Sequence, residues 1–174
     1  MTSIIRIPQT MVEQAKEACS AIKGLVKAKL SVSEDGTVEI EGDALEEQRV
    51  CLVMKAIGRG FDKEDALLLL DDEYELRAIN LKDYFSSPGH FKRIKGRVIG
   101  RGGSIKKSIE SSTFSRISVW GNHISIIAPY YSLPYAEEAV GMIIRGSKHS
   151  TLGNYLSKAR KDLIYTQLKG EKNV

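Results

Sequence analysis

The two halves of this 174-residue sequence repeat one pattern, and the repeat constrains the fold more than any other feature. The segment LSVSEDGTVEIEGDALEEQRVCLVMKAIGRG, which begins at Leu30, has the same order of elements as ISVWGNHISIIAPYYSLPYAEEAVGMIIRG, which begins at Ile117. Leu30 matches Ile117 at a shift of 87 residues, and Gly60 matches Gly146 at a shift of 86. A self-similar period this large predicts a duplicated small domain.

Hydrophobic periodicity predicts similar elements in both copies. Alternating segments predict one hairpin around residues 34–36 and another around Gly121-Asn122. Apolar spacings of three and four predict a helix over 10–26, and Asp43 and Asp62 are placed to cap two more. In the second copy the glycines divide the helical segment into 88–99 and 104–112. The expected fold class is α+β, with the order β-α-α-β-β-α and a small sheet covered by helices.

The charge of the chain is divided unequally between its halves. Residues 1–85 carry 11 Lys and Arg against 17 Asp and Glu, whereas residues 86–174 carry 15 against 5. The net charges are therefore −6 and +10, which sum to the +4 of the whole chain. An asymmetry of this kind indicates that the second half binds a polyanion.

The stretch FKRIKGRVIGRGGSIKKSIES, residues 91–111, concentrates this positive charge around three glycines. A nucleotide-binding P-loop is excluded, because the sixth residue counted from Gly96 is Arg101 and no later glycine has Lys-Ser in register. The dinucleotide fingerprint also fails, because the sixth residue counted from Gly100 is Ile105. What remains is a G-x-x-G loop between two helices.

Such a loop has a mechanism for gripping a sugar-phosphate chain. Glycines allow a tight turn and a close backbone approach, and the following helix offers free N–H groups and a favourable dipole to anions. Together with an apolar floor, the loop predicts a groove for about four unpaired nucleotides. The candidate RNA-binding residues are Lys95, Arg97, Ile99, Gly100, Arg101, Gly102, Gly103, Ser104, Lys106 and Lys107.

The stretch RVIGRGGSIKKSIESST, followed by SRISVWGNHISIIA and a long helix, resembles a KH domain of type I. The tail RGSKHSTLGNYLSKARKDL and the segment KAIGRGF narrow the resemblance to the archaeal and eukaryotic ribosome-assembly protein known as partner of Nob. The resemblance covers nearly the whole chain. It implies two tandem type I KH-like domains, no catalysis, binding near the 3′ end of small-subunit rRNA, and the Nob endonuclease and the alpha subunit of translation initiation factor two as partners.

The first copy departs from this pattern. Between Pro8 and Ser33 it has only Gly24 and no G-x-x-G, so we expect its two helices to be fused into one. Residues 31–48 hold seven acids and no Lys or Arg. We therefore assign no RNA-binding residue to the first domain, and our hypothesis is that it is a packing partner or a protein-binding module.

Other residues give weaker signals. The three histidines are isolated, and no EF-hand-like order appears among the acids, so neither a metal nor another cofactor is expected. Four aromatic side chains serve either base stacking or packing: Trp120, Tyr130, Tyr131 and Tyr135. On the last helix, the face with Lys158, Arg160 and Lys161 is a candidate extension of the basic surface, and whether it is one stays open. No signal peptide or membrane span is expected, and both cysteines, Cys19 and Cys51, suit a reduced, cytoplasmic protein.

The sequence thus predicts a degenerate KH-like domain over residues 1–73 and a KH domain with the glycine loop over 74–174. The expected function is non-catalytic binding of single-stranded RNA, most specifically small-subunit rRNA during ribosome assembly. Two alternatives stay open. One is a KH-type subunit of another RNA machine, in RNA degradation or translation regulation, and the other is a nuclease. The basic half has only five acids, which disfavours a metal-dependent nuclease.

Overall fold

The computed structural model describes residues 2–171, and the chain divides into two compact units, Met1–Leu76 and Arg77–Val174. Two three-stranded sheets are present. The first has the strand order β1 (Thr2–Arg6), β3 (Thr37–Glu41), β2 (Lys29–Val32), and the second has the order β4 (Tyr74–Asn80), β6 (His123–Pro129), β5 (Arg116–Trp120). Each sheet packs with helices of its own half of the chain, which confirms the predicted α+β class. None of the helices within residues 2–171 is long and apolar enough to cross a membrane.

The first sheet is built from local signals that the sequence carries. Strand β3 pairs antiparallel with both neighbours, so that Ile40 lies opposite Ser3 on one side and Leu30 on the other. The Asp43 carboxylate accepts hydrogen bonds from the backbone N–H groups of Leu45 and Glu46 at 3.1 and 3.0 Å, and so caps α2. The elements are β1 (Thr2–Arg6), α1 (Val12–Ile22), β2 (Lys29–Val32), β3 (Thr37–Glu41), α2 (Ala44–Gly58) and α3 (Lys63–Leu67).

Helix α1 is a single helix, as expected for a first copy without its own glycine loop, but it is shorter than predicted. It ends at Ile22, not at Val26. The backbone N–H groups of Leu25 and Val26 both donate to the Ile22 carbonyl, at 2.8 and 3.1 Å, so the chain turns there instead of continuing. Gly24 explains the early end, because glycine is a poor helix former and the apolar periodicity does not compensate for it.

The second half follows the predicted order, with two helices between its first and second strands. Helix α4 ends at Ile99 and α5 begins at Ser104, so the glycine loop separates them as predicted. Strands β5 and β6 form an antiparallel hairpin in which Trp120 lies opposite His123 across the Gly121-Asn122 turn. The elements are β4 (Tyr74–Asn80), α4 (Pro88–Ile99), α5 (Ser104–Thr113), β5 (Arg116–Trp120), β6 (His123–Pro129), α6 (Leu133–Ile144) and α7 (His149–Glu171).

A continuous apolar core holds α4 and α5 against the sheet of the second unit. Ile94 and Val98 from α4 meet Ile109 from α5 and Ile117 from β5, all with almost no exposed surface. Helix α7 adds Leu152 and Leu156 to this core, with Tyr155 packed at its edge. Burial raises the pKa of Tyr155 to about 12, and its hydroxyl donates to the Tyr135 carbonyl at 3.3 Å. The loop between α4 and α5 is therefore mounted on two rigid elements.

Candidate nucleic-acid interface

The glycine loop has a backbone that only glycine adopts without strain. The φ angles are +74° at Gly100, +59° at Gly102 and +77° at Gly103, all in the left-handed half of conformational space. The N–H of Gly103 donates to the carbonyl of Gly100 at 3.2 Å, which closes a tight turn around Arg101. The spacing of the glycines thus follows from the turn that joins α4 to α5.

Two of these glycines have different surroundings. A Cβ atom on Gly100 would lie 2.5 Å from Cγ1 and 2.7 Å from the backbone N of Ile105, so Gly100 packs directly against the first turn of α5. A Cβ atom on Gly102 would meet nothing within 4 Å. Gly100 therefore holds the loop against the helix, whereas Gly102 presents bare backbone to the outside.

The start of α5 is open to an anion. Its N-cap residue is Gly103, which has no side chain to accept the free N–H groups of the first turn, and Ser104 at the first helical position is exposed. These N–H groups and the positive end of the helix dipole directly follow the loop in the chain. A phosphate is the ligand that such an end favours.

Basic side chains surround this helix start. Arg101 and Lys107 are exposed, and neither forms an ion pair with any residue in the described range 2–171. Lys106 lies 3.7 Å from the carboxylate of Glu110, whose Oε1 also accepts the backbone N–H of Ile117 at 2.8 Å. We did not predict this role of Glu110, although its position four residues after Lys106 on one helix was a usable signal.

Apolar side chains border the loop on both sides. Ile99, the last residue of α4, is 38% exposed. Ile105 from α5 and Val119 from β5 are partly buried and pack on the core of the second unit. Val98 and Ile117 lie fully inside that core. The apolar surface beside the loop therefore comes from Ile99, which adjoins it in the chain, and from Ile105, which lies against Gly100.

Two predicted site residues have hydrogen-bond partners away from the loop. Lys95 Nζ donates to the carbonyl of Gly121 at 3.0 Å and so ties α4 to the tip of the β5–β6 hairpin. The guanidinium of Arg97 donates to the carbonyl of Ile143 at 3.0 Å and to that of Ser147. The Ile143 carbonyl lies in the last turn of α6, and that of Ser147 lies in the connection between α6 and α7. In this arrangement Lys95 and Arg97 each connect α4 to another part of the second unit.

A substitution separates these two roles for Arg97. We expect Arg97→Gln to lower the free energy of unfolding by about 1–3 kcal/mol, because charge-assisted bonds to two carbonyls are lost. The affinity for single-stranded RNA should change by less than about threefold, because the guanidinium is engaged by backbone carbonyls. Urea unfolding and fluorescence anisotropy measure the two quantities. A large loss of affinity at unchanged stability would assign Arg97 to the RNA.

The aromatic residues lie outside this groove or on other contacts. Side chains alternate along a strand, so Trp120 lies on the opposite face of β5 from Val119. The rings of Tyr130 and Tyr131 meet edge to face with centroids 5.5 Å apart, and Gln167 Nε2 donates to the Tyr131 hydroxyl at 3.0 Å. Lys158, Arg160 and Lys161 are exposed on α7. Within the described residues, no group of three or more His, Cys, Asp or Glu side chains is arranged to hold a metal ion.

Comparisons with known proteins agree with this architecture. The family described as "Eukaryotic type KH-domain (KH-domain type I)" matches residues 75–161. The KH domain-containing protein MJ0443 of Methanocaldococcus jannaschii is 36% identical over 169 residues, covering 92% of this chain and 74% of that protein. The pre-rRNA-processing protein pno1 of Aspergillus oryzae is 39% identical over 98 residues, which are 54% of this chain but only 37% of the fungal protein.

Solved structures show that the likeness extends through both units. A protein of unknown function from Aeropyrum pernix matches with a TM-score of 0.89 and 26% identity, covering 100% of this chain and 98% of that one. The chain matched in the a/eIF2alpha–aDim2p–rRNA complex from Pyrococcus horikoshii has a TM-score of 0.80 and 28% identity, over 93% and 95% of the two chains. The prediction of tandem type I KH-like domains is confirmed, and the chain belongs to the PNO1-type family of KH-domain proteins.

Proposed function

We propose that this protein binds single-stranded RNA without catalysis and that its RNA is small-subunit rRNA during ribosome assembly. The observation that carries the proposal is the open start of α5, where bare backbone at Gly102 stands beside the exposed, unpaired Arg101 and Lys107. Phosphates would lie on the loop and the helix start, and bases would rest on the apolar side chains of Ile99 and Ile105.

The proposed contact set is narrower than the predicted one. It consists of Ile99, Gly100, Arg101, Gly102, Gly103, Ser104, Lys106 and Lys107, with Lys95 and Arg97 as supports of the scaffold. Lys106 belongs to the set because its ion pair with Glu110 is partly exposed, and such pairs are weak. The surrounding positive charge of residues 86–174 would speed the encounter with RNA.

Relatives support the choice of RNA and suggest partners. The Aspergillus oryzae relative is a pre-rRNA-processing protein, and the Pyrococcus horikoshii structure contains rRNA and a/eIF2alpha. We extend to this chain an rRNA target near the 3′ end of the small-subunit RNA, with a Nob-type endonuclease and the alpha subunit of initiation factor two as protein partners. Cys19 and Cys51 are free thiols, which supports action in the reducing cytoplasm.

The domain boundary is part of the proposal. Strand β4 begins at Tyr74, and its neighbour in the sheet is β6 of the second half. We therefore assign residues 1–73 to a KH-like domain without RNA-binding residues and residues 74–174 to the RNA-binding domain. If the first domain alone bound RNA as tightly as the intact chain does, this assignment of RNA binding to the second domain would be contradicted.

The binding should depend steeply on salt. The three cations of the proposed set, Arg101, Lys106 and Lys107, would each contact one phosphate. The logarithm of the binding constant should then fall with the logarithm of the salt concentration at a slope of about −2, because a single strand releases about 0.7 counterion per contact. The affinity should therefore fall about 15- to 20-fold between 50 and 200 mM salt. Anisotropy of a labelled single-stranded RNA from the 3′ region of small-subunit rRNA measures this slope, and a slope near zero would contradict the phosphate contacts.

The same RNA tests the absence of catalysis. Incubation of the intact chain with the RNA and Mg²⁺ or Mn²⁺ should leave the RNA at full length, because the basic half carries too few carboxylates to gather metal ions at the loop. Fragments that appear with the metal would overturn the non-catalytic part of the proposal. Co-purification separates the two binding functions. If the protein co-purified with subunits of an RNA-degrading complex and not with pre-ribosomal RNA, a role in another RNA machine would be favoured.

A further inference from the structure

The first unit carries an apolar groove that the RNA-binding account does not use. Its volume is about 590 Å³, and its apolar lining comes from Leu25, Val26, Leu67, Leu68, Leu70 and Tyr74. This size lies within the range of about 300–1,000 Å³ that is typical of pockets for ligands or inserted side chains. All the lining residues lie within the compact unit Met1–Leu76, which also includes Tyr74 at the start of β4.

Leu25 marks the groove as a contact surface. It stands in the turn that follows α1 and is 67% exposed, although a leucine of this size gains free energy from burial. The corresponding place in the second half of the chain carries the glycine loop, since both follow the first helix of their copy. Leu25 and the partly exposed leucines of the lining form a contiguous apolar patch, which is typical of a site that another protein covers.

The rim of the groove is acidic. Its lining contains three carboxylates, Glu46, Glu64 and Asp71, and one guanidinium, Arg49. Arg49 Nε and Nη2 donate to the two carboxylate oxygens of Asp72 at 2.9 and 2.6 Å, and this contact holds the pKa of Asp72 below its usual value. Arg49 Nη1 also lies 3.6 Å from a carboxylate oxygen of Glu46, and Lys63 Nζ lies 3.7 Å from one of Glu64. Four carboxylates, those of Glu46, Glu64, Asp71 and Asp72, thus stand against these two cations, and the negative charge is in excess.

We propose that this groove binds a basic amphipathic segment of a protein partner, with apolar side chains seated among the leucines and Lys or Arg against Glu46, Glu64 and Asp71. We infer a basic segment because its positive charge would complement the carboxylates of the lining, and charge complementarity at polar rims sets partner choice. Lys23 and Lys27 flank Leu25 in the chain but do not line the groove. The same carboxylates repel RNA, so this surface is separate from the RNA site.

A peptide array on the intact chain tests the proposal. The probes are short synthetic peptides that each contain two leucines. Across the array, the spacing between the leucines varies over a few residues, and the flanking residues are Lys, Ser or Glu. We expect a subset of the Lys-flanked peptides to bind, and their Glu-flanked counterparts to bind at least about tenfold more weakly. Equal binding of the two sets, or no binding by any Lys-flanked peptide, would overturn the proposal.

Matched variants locate the bound peptide. Leu25→Ser should weaken the best Lys-flanked peptide about tenfold, whereas Leu45→Ser, at a leucine 54% exposed in the same unit but outside the lining, should not. Glu64→Lys should weaken it similarly, whereas Glu34→Lys, with the same change in charge outside the lining, should not. Equal effects within either pair would overturn the site. Affinity for RNA should stay unchanged in Leu25→Ser, so this outcome is independent of the RNA proposal.

Discussion

Gly100→Ala should destabilise the second unit by about 3 kcal/mol. A methyl group at this position would lie 2.5 Å from Cγ1 and 2.7 Å from the backbone N of Ile105, so helix α5 would have to shift. Overpacking of this kind costs about 1–3 kcal/mol. The backbone angles, φ +74° and ψ 175°, add about 1–3 kcal/mol for any residue with a Cβ atom. Urea unfolding followed by the fluorescence of Trp120, the one tryptophan of the chain, reports on this unit.

Gly102→Ala is the matched control. It also places a Cβ atom on a residue with positive φ, but there is open space around it. The expected loss is only about 1–2 kcal/mol, the cost of the left-handed conformation itself. Equal unfolding midpoints for the two variants would contradict the packing of Gly100 against α5.

Local patterns explain how much of the fold was predictable. The alternation of residues in both hairpins, the caps at Asp43 and Asp62, and the glycines between α4 and α5 each act within a few residues. Physical rules for such short stretches need no knowledge of the tertiary structure. The one clear misjudged boundary, the end of α1, came from weighting apolar spacing above the low helix propensity of Gly24.

Contacts between distant parts of the chain were not predictable. Arg97 looks like a phosphate-binding residue in the sequence, but its acceptors are the carbonyls of Ile143 and Ser147, 46 and 50 residues away. The partner of Lys95, the Gly121 carbonyl, is 26 residues away. Composition cannot distinguish a cation that binds RNA from one that caps a helix end, because both need only a donor beside an oxygen.

The groove of the first unit shows the same limit. Its apolar lining is drawn from three separate segments, around Leu25, around Leu68 and at Tyr74. Each segment by itself resembles ordinary core or surface. The sequence did show that this half is acidic and lacks the glycine loop, and this suggested a protein-binding role without indicating where.

Replacing Arg101 and Gly102 together with Asp should weaken binding of single-stranded RNA by at least about tenfold, or about 1.4 kcal/mol. The double substitution reverses one exposed cation and adds a carboxylate where we place a phosphate. The fold should persist, because Gly102 has open space and Asp tolerates the left-handed conformation better than most residues. Circular dichroism of the variant should match that of the unaltered chain.

Lys82→Asp combined with Ser86→Asp supplies the matched control. Both residues are exposed in the second unit and lie outside the proposed contact set, and the total change in charge is the same. A general loss of positive charge would weaken RNA binding equally in both double variants, since long-range attraction depends on net charge. A specific phosphate site would weaken it much more in the loop variant.

We propose above that the loop from Gly100 to Gly103 grips single-stranded RNA. The most direct test is the ratio of the dissociation constants of the two double variants, measured by anisotropy with the same labelled RNA at one salt concentration. We expect the loop variant to bind at least about tenfold more weakly than the control variant. Equal dissociation constants, with circular dichroism unchanged in both proteins, would contradict it.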